Sequence, residues 1–444
     1  MTFVRRSNRG RTIVGLGMSA VLMTWAVAPS APAAVTGPGP AAVGAGSAAP
    51  GAGQAVPAGI DRQELRRTLA EIRRAGMYGV YSSVRDGDAS WDGAAGVADV
   101  RTGRPVHSGM LHRVGSVTKT FVAVAILQQV ERRLIELDAP VARYLPDLIP
   151  AERGQKITVR MLLNHTSGIG DYVGGAFPSL LRGSTESLDD NRFRALRPEE
   201  LVGFGLAAPP TGEPGQHWSY SNTNYIIAGL LLEKVTGTPA ESYITRQVIR
   251  RAGLRDTSFP ATPIIPGPHS KAYESFYGLI DPPRDYSVYN MSWAGTAGAI
   301  VSTTGDLDRF YRELLGGRLL KPAQLAQMQT TVPVTDGQGN VMVNYGLGIY
   351  AEDLPCGRFW GHDGAVWGTG TISLSAPDGR RQISLGINLM KYQRFDANGV
   401  LQPHAIDDAL GTHIFQALCG PGATLSKGGH PFRPFPTQQT LVKR

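Results

Sequence analysis

The sequence predicts an α+β fold in which one β-sheet is assembled from segments near opposite ends of the chain. Of its 444 residues, 42% are hydrophobic and 18% are charged, which is enough apolar material for a large buried core. Strand patterns occur near the N-terminus and again in the last quarter of the chain, and helical patterns fill the region between them. The sequence shows no internal repeat.

The N-terminal segment has the three parts of a secretory signal. A basic stretch to Arg11 precedes an apolar run from Ile13 to Val27, and small residues follow to Ala33. We expect residues 1–34 to be removed and the mature protein to be secreted and extracellular. An uncleaved membrane anchor is the alternative, but the apolar run is short for crossing a bilayer.

Two further segments have compositions that cannot form a core. Residues 35–58 are nearly all Ala, Gly, Pro, Val and Ser, which is typical of a flexible linker. Residues 424–444 contain paired glycines and several prolines and are predicted to be a flexible tail. The folded domain is therefore expected to occupy residues 59–423.

The net charge of +8 does not indicate a nucleic-acid binder. Residues 1–34 hold four arginines and no acid, and residues 424–444 hold four basic residues and no acid. The predicted domain between them is close to neutral, so it has no global field that would attract phosphate groups.

The predicted elements follow in order along the domain. An amphipathic helix is expected at Asp61–Ala75 and a strand at Met77–Val84, before the turn residues Asp86-Gly87-Asp88. Three more helices and four C-terminal strands are predicted: Ser116–Leu137, Asn224–Val235 and Thr304–Leu315, then Asn344–Tyr350, Arg358–His362, Gly370–Ser375 and Gln382–Asn388.

The only two cysteines are Cys356 and Cys419. Export to an oxidising compartment favours a disulfide between them, and a pair of buried free thiols is the alternative. The chain has neither a Cys-x-x-Cys nor a His-Glu-x-x-His motif, so no metal site, cofactor or thiol redox chemistry is predicted.

The first candidate catalytic motif is Ser116-Val117-Thr118-Lys119 at a predicted helix start. The i, i+3 spacing stacks a hydroxyl and an amine on one helix face, and burial would lower the pKa of the lysine so that it can accept the serine proton. The alternative interpretation is a helix-capping serine followed by a surface lysine. None of the other seven lysines has a serine three residues before it.

The second and third motifs are Tyr220-Ser221-Asn222 and Gly361-His362-Asp363-Gly364. In the second, a phenol can relay a proton and an amide can hold a substrate carbonyl or the lysine; the alternative is a packed tyrosine in a turn with a capping Asn. The histidine motif is the least specific, because a lone histidine beside an aspartate is often structural.

These three motifs, in this order and widely spaced, resemble the serine β-lactamase and penicillin-recognising peptidase superfamily. The similarity extends to the secreted D-alanyl-D-alanine carboxypeptidases over Leu111–Leu145, Thr158–Gly168, Pro214–Gly237, Ala297–Phe310 and Tyr345–Gly364. The resemblance implies an antiparallel sheet flanked by helices, an all-helical subdomain at about residues 126–294, and an active site between the two.

The resemblance also assigns roles to individual residues. Ser116 would be acylated, Lys119 and Tyr220 would share the proton transfers, and Asn222 would hold the substrate amide. His362 would occupy the basic position on the edge strand, and the backbone N–H groups of Ser116 and Ala365 would form the oxyanion hole. The implied substrate contacts are Asp363, Gly364, Tyr350 and Trp293.

Two departures from the carboxypeptidase pattern concern the substrate. Asp363 stands where those enzymes usually have a hydroxyl residue, and Leu347–Glu352 lacks the arginine that binds a terminal carboxylate. A carboxylate about 4 Å from Asp363 would be repelled by up to roughly 4 kcal/mol at an effective dielectric of about 20. We therefore expect a preference for amides, esters or substrates with a free amine, unless Asp363 pairs with Arg358 or another local cation.

The sequence thus predicts a serine hydrolase that forms an acyl-enzyme on small or cell-wall peptides containing D-amino acids and is acylated by β-lactams. An esterase on the same scaffold is the enzymatic alternative. A penicillin-type sensor that is acylated without turnover is the non-enzymatic alternative. The chain has no Gly-x-Ser-x-Gly motif, which excludes an α/β-hydrolase, and Tyr220-Ser221-Asn222 in place of Ser-Asp-Asn excludes a class A lactamase.

Overall fold

A computed structural model of the chain describes residues 59–336, 339–420 and Phe435. The predicted signal segment and the linker up to residue 58 lie outside these residues, as does the predicted tail apart from Phe435. Among the described residues, no helix combines the length and the apolar character needed to cross a membrane.

The helices begin with an N-terminal helix capped by the side chain of Asp61, which accepts hydrogen bonds from two backbone N–H groups of the first turn. They are α1 (Arg62–Arg74), α2 (Thr118–Glu131), α3 (Ala151–Lys156), α4 (Val159–Leu163), α5 (Val173–Ala176), α6 (Glu186–Asp190), α7 (Pro198–Ala207), α8 (Thr223–Thr236), α9 (Ala240–Ile244), α10 (Gly295–Gly298), α11 (Thr304–Leu315), α12 (Pro322–Met328) and α13 (Ala405–Cys419).

The strands fall into one large sheet and two small ones. They are β1 (Gly79–Asp86), β2 (Ala89–Asp99), β3 (Arg104–Pro105), β4 (His112–Arg113), β5 (Tyr273–Glu274), β6 (Arg284–Asp285), β7 (Val301–Ser302), β8 (Val332–Thr335), β9 (Val341–Tyr345), β10 (Tyr350–Leu354), β11 (Gly357–Val366), β12 (Thr369–Ser375), β13 (Arg381–Ile387) and β14 (Leu389–Met390).

The large sheet has nine strands in the order β3-β2-β1-β13-β12-β11-β10-β9-β8, and all neighbours in it are antiparallel. Strand β1 from the N-terminal part pairs with β13 from the C-terminal part, and Val80 lies opposite Ile387. This pairing confirms the predicted α+β class and the assembly of one sheet from distant parts of the chain.

Helices cover both faces of the sheet. On one face, α1 and α13 pack against β1, β2 and β13, and α1 buries Leu65, Leu69 and Ile72 at helical spacing. On the other face lie α11 and the helices that pack around α2, which are α8, α9, α10 and α12. Helix α2 is buried on every side from Thr118 to Gln129, so its first residues lie inside the protein.

The structure corrects several predicted boundaries. The helix predicted at Ser116–Leu137 begins at Thr118 and ends at Glu131, because Arg133 adopts a left-handed conformation with φ of 62°. The strand predicted at Asn344–Tyr350 is two strands, separated by a turn in which Gly348 has φ of 69°. The sequence analysis missed strand β2 and helix α13, whereas α11 has the predicted bounds.

The two cysteines form the predicted disulfide. Cys356 lies in the turn between β10 and β11, and Cys419 is the last residue of α13, with a Cα–Cα distance of 5.4 Å. The bond therefore ties the C-terminal helix to the strand that carries the histidine motif. The boundaries of the catalytic domain and of its helical subdomain stay predictions.

Candidate active site

Ser116 and Lys119 lie at the start of the buried central helix. Ser116 is in a 3-10 turn, Gly115–Val117, and α2 follows directly with Lys119 in its first turn. The two side chains therefore project from the same face, and Lys119 Nζ is 3.0 Å from Ser116 Oγ. The serine is 5% exposed and the lysine is fully buried.

Lys119 Nζ has two further oxygen neighbours. Asn222 Oδ1 and the backbone oxygen of Ala297 each lie 2.8 Å away, and the ring of Tyr220 lies 4.8 Å below. Burial lowers the pKa of Lys119 to about 7, and the nearby carboxylates of Asp171 and Asp363 partly oppose that shift. A substantial fraction of Lys119 is therefore neutral near pH 7.

The neutral amine has a defined orientation in this setting. It has two N–H groups and one lone pair, and the oxygens of Asn222 and Ala297 can only accept hydrogen bonds. Once both N–H groups are donated to them, the lone pair is left for the hydroxyl of Ser116. This is the arrangement of a general base beside its nucleophile.

Asp171 fixes the orientation of the Asn222 amide from the side opposite Lys119. Oδ2 of Asp171 accepts hydrogen bonds from the backbone N–H and from Nδ2 of Asn222, at 2.7 and 2.8 Å, where the chain enters α8. Burial raises the pKa of Asp171, and the hydrogen bonds from Asn222 and the charge of Lys119 oppose the shift. The sequence analysis did not identify Asp171, which no motif marks.

Tyr220 is held against His165, a second residue that sequence reasoning did not single out. The two rings are 4.3 Å apart at 32°, and His165 Nδ1 accepts a hydrogen bond from the backbone N–H of Ser221 at 3.2 Å. Burial keeps the pKa of His165 well below its usual value, with the charge of Lys119 acting in the same direction. His165 is therefore a neutral support for the tyrosine. The segment Asn164-His165-Thr166-Ser167-Gly168, which belongs to the similarity with the carboxypeptidases, was the sequence feature that could have identified His165.

His362 is a neutral, buried histidine on β11. Its Nδ1 donates to the backbone oxygen of Asp363, so its Nε2 accepts from the hydroxyl of Tyr345 at 2.8 Å. Burial lowers the pKa of His362 to about 3. Tyr345 also packs edge-on against His165, which connects the histidine motif to the support of Tyr220.

The end of β11 lies against the turn that carries Ser116. A Cβ atom built on Gly364 would be 2.7 Å from the backbone nitrogen of Ser116, and one built on Gly115 would be 2.5 Å from the backbone nitrogen of Ala365. Only glycine permits this approach at position 364. The backbone nitrogens of Ser116 and Ala365, proposed for the oxyanion hole, therefore lie on two segments in direct contact.

Asp363, within the histidine motif, and Tyr350, on the neighbouring strand β10, are almost fully buried. The carboxylate of Asp363 is 3.9 Å from His362 Nδ1, and the Tyr350 ring packs on the His362 ring at 5.6 Å. Arg358 forms its ion pair with Asp353 at 2.7 Å, so it is not the partner of Asp363 considered from the sequence.

The carboxyl group of Glu352 is largely protonated near pH 7 because of its surroundings. Burial raises the pKa of Glu352 to about 8, and the charges of Asp353 and Asp363 act in the same direction. The surroundings of Asp363 are therefore unfavourable for a further anion.

Trp293 belongs to an aromatic cluster next to α10, which supplies the Ala297 oxygen. It stacks on Trp367 with ring centres 4.9 Å apart, and Phe177 packs edge-on against both tryptophans. Trp367 follows β11 by one residue. Of the described residues, no group of three or more His, Cys, Asp or Glu is placed to hold a metal ion.

Comparison with known proteins agrees with this architecture. The sequence profile of the Beta-lactamase family matches residues 62–402. A penicillin-binding protein of Bacillus subtilis (strain 168) is 26% identical over 72% of this chain and 70% of its own length. The esterase EstB of Burkholderia gladioli is 33% identical over 44% of this chain and 49% of its own.

Among solved structures, a D-stereospecific amidohydrolase from Streptomyces sp. is 34% identical. The alignment covers 82% of this chain and 100% of that chain, with a TM-score of 0.70. The match of the profile to most of the chain, with this structural likeness, confirms the resemblance inferred from the three motifs. The chain belongs to the Beta-lactamase family of serine hydrolases.

Proposed function

We propose that the protein is a D-stereospecific peptidase or amidase that acts through an acyl-enzyme on Ser116. The contact between Ser116 Oγ and a lysine of lowered pKa carries the proposal, because it supplies a nucleophile and its base. The likeness to a D-stereospecific amidohydrolase over that whole chain supports the stereochemistry. The acyl-serine chemistry would be that of a D-alanyl-D-alanine carboxypeptidase.

The proposed substrate class has an amide or a further peptide bond in place of a free C-terminal carboxylate. Asp363 lies on β11 two residues before the proposed oxyanion donor Ala365, and its charge helps to keep Glu352 protonated. Leu347–Glu352 provides no arginine for a carboxylate. A free amine on the substrate would meet favourable electrostatics there. These electrostatics disfavour release of a terminal D-alanine.

An esterase is the second candidate, supported by the similarity to EstB over about half of each chain. An ester needs less help to expel its leaving group than an amide does, so the same serine and lysine would suffice. A ratio of kcat/KM for matched D-amino acid esters and amides distinguishes the two functions.

The proposed cellular setting is outside the cytoplasm, on the basis of the N-terminal sequence pattern. Expression of the full chain with detection in the culture medium, and N-terminal sequencing of the product, tests this. Cleavage near Ala33 supports secretion, and full-length protein retained in the membrane fraction contradicts it.

The central experiment is intact-mass spectrometry after exposure to benzylpenicillin. We expect a covalent adduct on the wild type and none on Ser116→Ala. Release of p-nitroaniline from D- and L-aminoacyl anilides then measures stereospecificity. Continuous turnover supports an enzyme, whereas a single burst followed by no further product supports a penicillin-type sensor.

A further inference from the structure

The carboxylate of Asp171 has both of its oxygens engaged on the far side of Asn222 from the catalytic lysine. Oδ2 accepts two hydrogen bonds from Asn222, and Oδ1 accepts one from the backbone N–H of Val173 at 2.8 Å. The carboxylate is therefore held between the first turns of α5 and α8. It makes no contact with Ser116 or Lys119 at hydrogen-bond distance.

This arrangement determines which end of the Asn222 amide faces Lys119. An ionised carboxylate only accepts hydrogen bonds, so it attracts the NH₂ end of the amide and leaves Oδ1 for Lys119 Nζ. If the amide turned over, its NH₂ group would meet the amine. An N–H of Asn222 would then compete with the hydroxyl of Ser116 for the single lone pair of neutral Lys119.

We propose that Asp171 is a positioning residue that acts through Asn222 to reserve the Lys119 lone pair for Ser116. In the acylation step, the proton of Ser116 Oγ moves to Lys119 Nζ while Oγ bonds to the acyl carbon. The carbonyl π electrons move to the oxygen, which gives a tetrahedral oxyanion intermediate. Its collapse restores the carbonyl and breaks the bond to the leaving group, which departs and can take back the proton held by Lys119 Nζ. The inference rests on Ser116 as nucleophile, which is part of the proposed function, but not on the identity of the acyl group.

The charge of Asp171 also affects a second measurable quantity, the pKa of Lys119. The groups whose electrostatics act on Lys119 are Asp171 and Asp363, which raise its pKa against the effect of burial, and the two buried histidines, which are neutral. Removing the Asp171 charge should lower the pKa of Lys119 further. Merely loosening the site would admit water and move that pKa upward, toward its ordinary value.

The test uses Asp171→Asn in the full chain, with p-nitrophenyl acetate as substrate and benzylpenicillin as acylating agent. The asparagine keeps an acceptor for Val173 but no longer dictates the Asn222 orientation. We expect kcat/KM and the acylation rate to fall about 100-fold. We also expect the midpoint of the acid limb of the pH profile to move to lower pH.

A double-mutant cycle with Asn222→Ala separates positioning from general damage. If Asp171 acts through Asn222, Asp171→Asn costs little further activity in the Asn222→Ala background. If the two substitutions lower activity by factors that multiply in the double variant, the proposal is wrong. It is also wrong if the midpoint of the acid limb of the Asp171→Asn pH profile moves to higher pH. Asp306→Asn is the matched control, because Asp306 is a buried carboxylate with two hydrogen-bond donors in another part of the fold.

Thermal unfolding of each variant checks that the comparison concerns folded protein. Absence of an adduct on wild-type protein, or an adduct that persists on Ser116→Ala, would contradict the proposed function instead. If Asp171→Asn keeps wild-type activity while Ser116→Ala loses activity and the benzylpenicillin adduct, only the proposed role of Asp171 is contradicted.

Discussion

Lys119 Nζ lies 3.0 Å from Ser116 Oγ, although the serine belongs to a 3-10 turn and the lysine to the α-helix that follows it. The helix is buried on all sides, so neither side chain is hydrated in the way that a surface pair would be. The separation is that of a hydrogen bond, and burial favours the neutral amine.

Replacing Lys119 should remove the base without removing the nucleophile. Lys119→Met is expected to lower kcat/KM for p-nitrophenyl acetate by a factor of about 10² to 10⁴, the usual contribution of general base catalysis. Lys119→Arg should fail as well, because a guanidinium keeps its proton and offers no lone pair. Near wild-type activity in the arginine variant would show that the positive charge, and not the base, is what the site requires.

The pH profile should report the deprotonation of Lys119. Because the base is active when neutral and its pKa is about 7, kcat/KM for an uncharged ester should rise about tenfold per pH unit below pH 7 and level off above it. His362 and His165 have lowered pKa values, so they are already neutral in this range. A profile that is flat between pH 5 and 8 would exclude this assignment of the base.

Asp363 is expected to control discrimination against terminal carboxylates. Asp363→Asn should raise kcat/KM for a D-peptide with a C-terminal carboxylate relative to its carboxamide, by up to about 4 kcal/mol in transition-state free energy. Asp353→Asn is the matched control, since Asp353 is exposed and paired with Arg358. If both variants leave the carboxylate-to-carboxamide ratio of the wild type unchanged, the electrostatic argument is wrong.

Gly364→Ala should damage catalysis through the backbone. The added methyl group would lie 2.7 Å from the nitrogen of Ser116, so β11 or the serine turn must shift. Displacing one oxyanion donor costs about 3 kcal/mol of transition-state stabilisation, and overpacking costs about 1 to 3 kcal/mol of folding stability. The control is Gly203→Ala in α7, where the methyl group meets open space. Steady-state kinetics and urea unfolding measure both effects, and an active, stable Gly364→Ala would refute the close approach.

The disulfide should contribute mainly to stability. Cys356 and Cys419 are 63 residues apart in sequence, and closing such a loop stabilises by about 4 kcal/mol in the chain-entropy model. The Cys356→Ser, Cys419→Ser double variant should therefore unfold at lower urea concentration while keeping its rate of acylation by benzylpenicillin. A rate loss comparable to that of Lys119→Met would instead place the disulfide in the catalytic architecture.

Local patterns predicted many of the elements because they depend on short-range physics. Helices α1 and α11 have apolar residues at helical spacing together with N-terminal caps, and their predicted bounds match or nearly match the observed ones. Strand β2 was missed because Ala and Gly dominate it, and such a strand lacks the β-branched pattern. Helix α13 was missed although the side chain of His404 caps its N-terminus.

The sequence by itself determined the family and the chemistry of the candidate site, because Ser-x-x-Lys places a nucleophile and an amine one helical turn apart wherever that helix forms. The tertiary structure alone decided how the lysine is tuned and oriented. Asn222 and Ala297 reach Lys119 from 103 and 178 residues away. His165 supports the site from a distant segment, as does Asp171, which no motif marks. Burial and hydrogen-bond direction depend on which distant segments pack together, and local sequence does not encode that information.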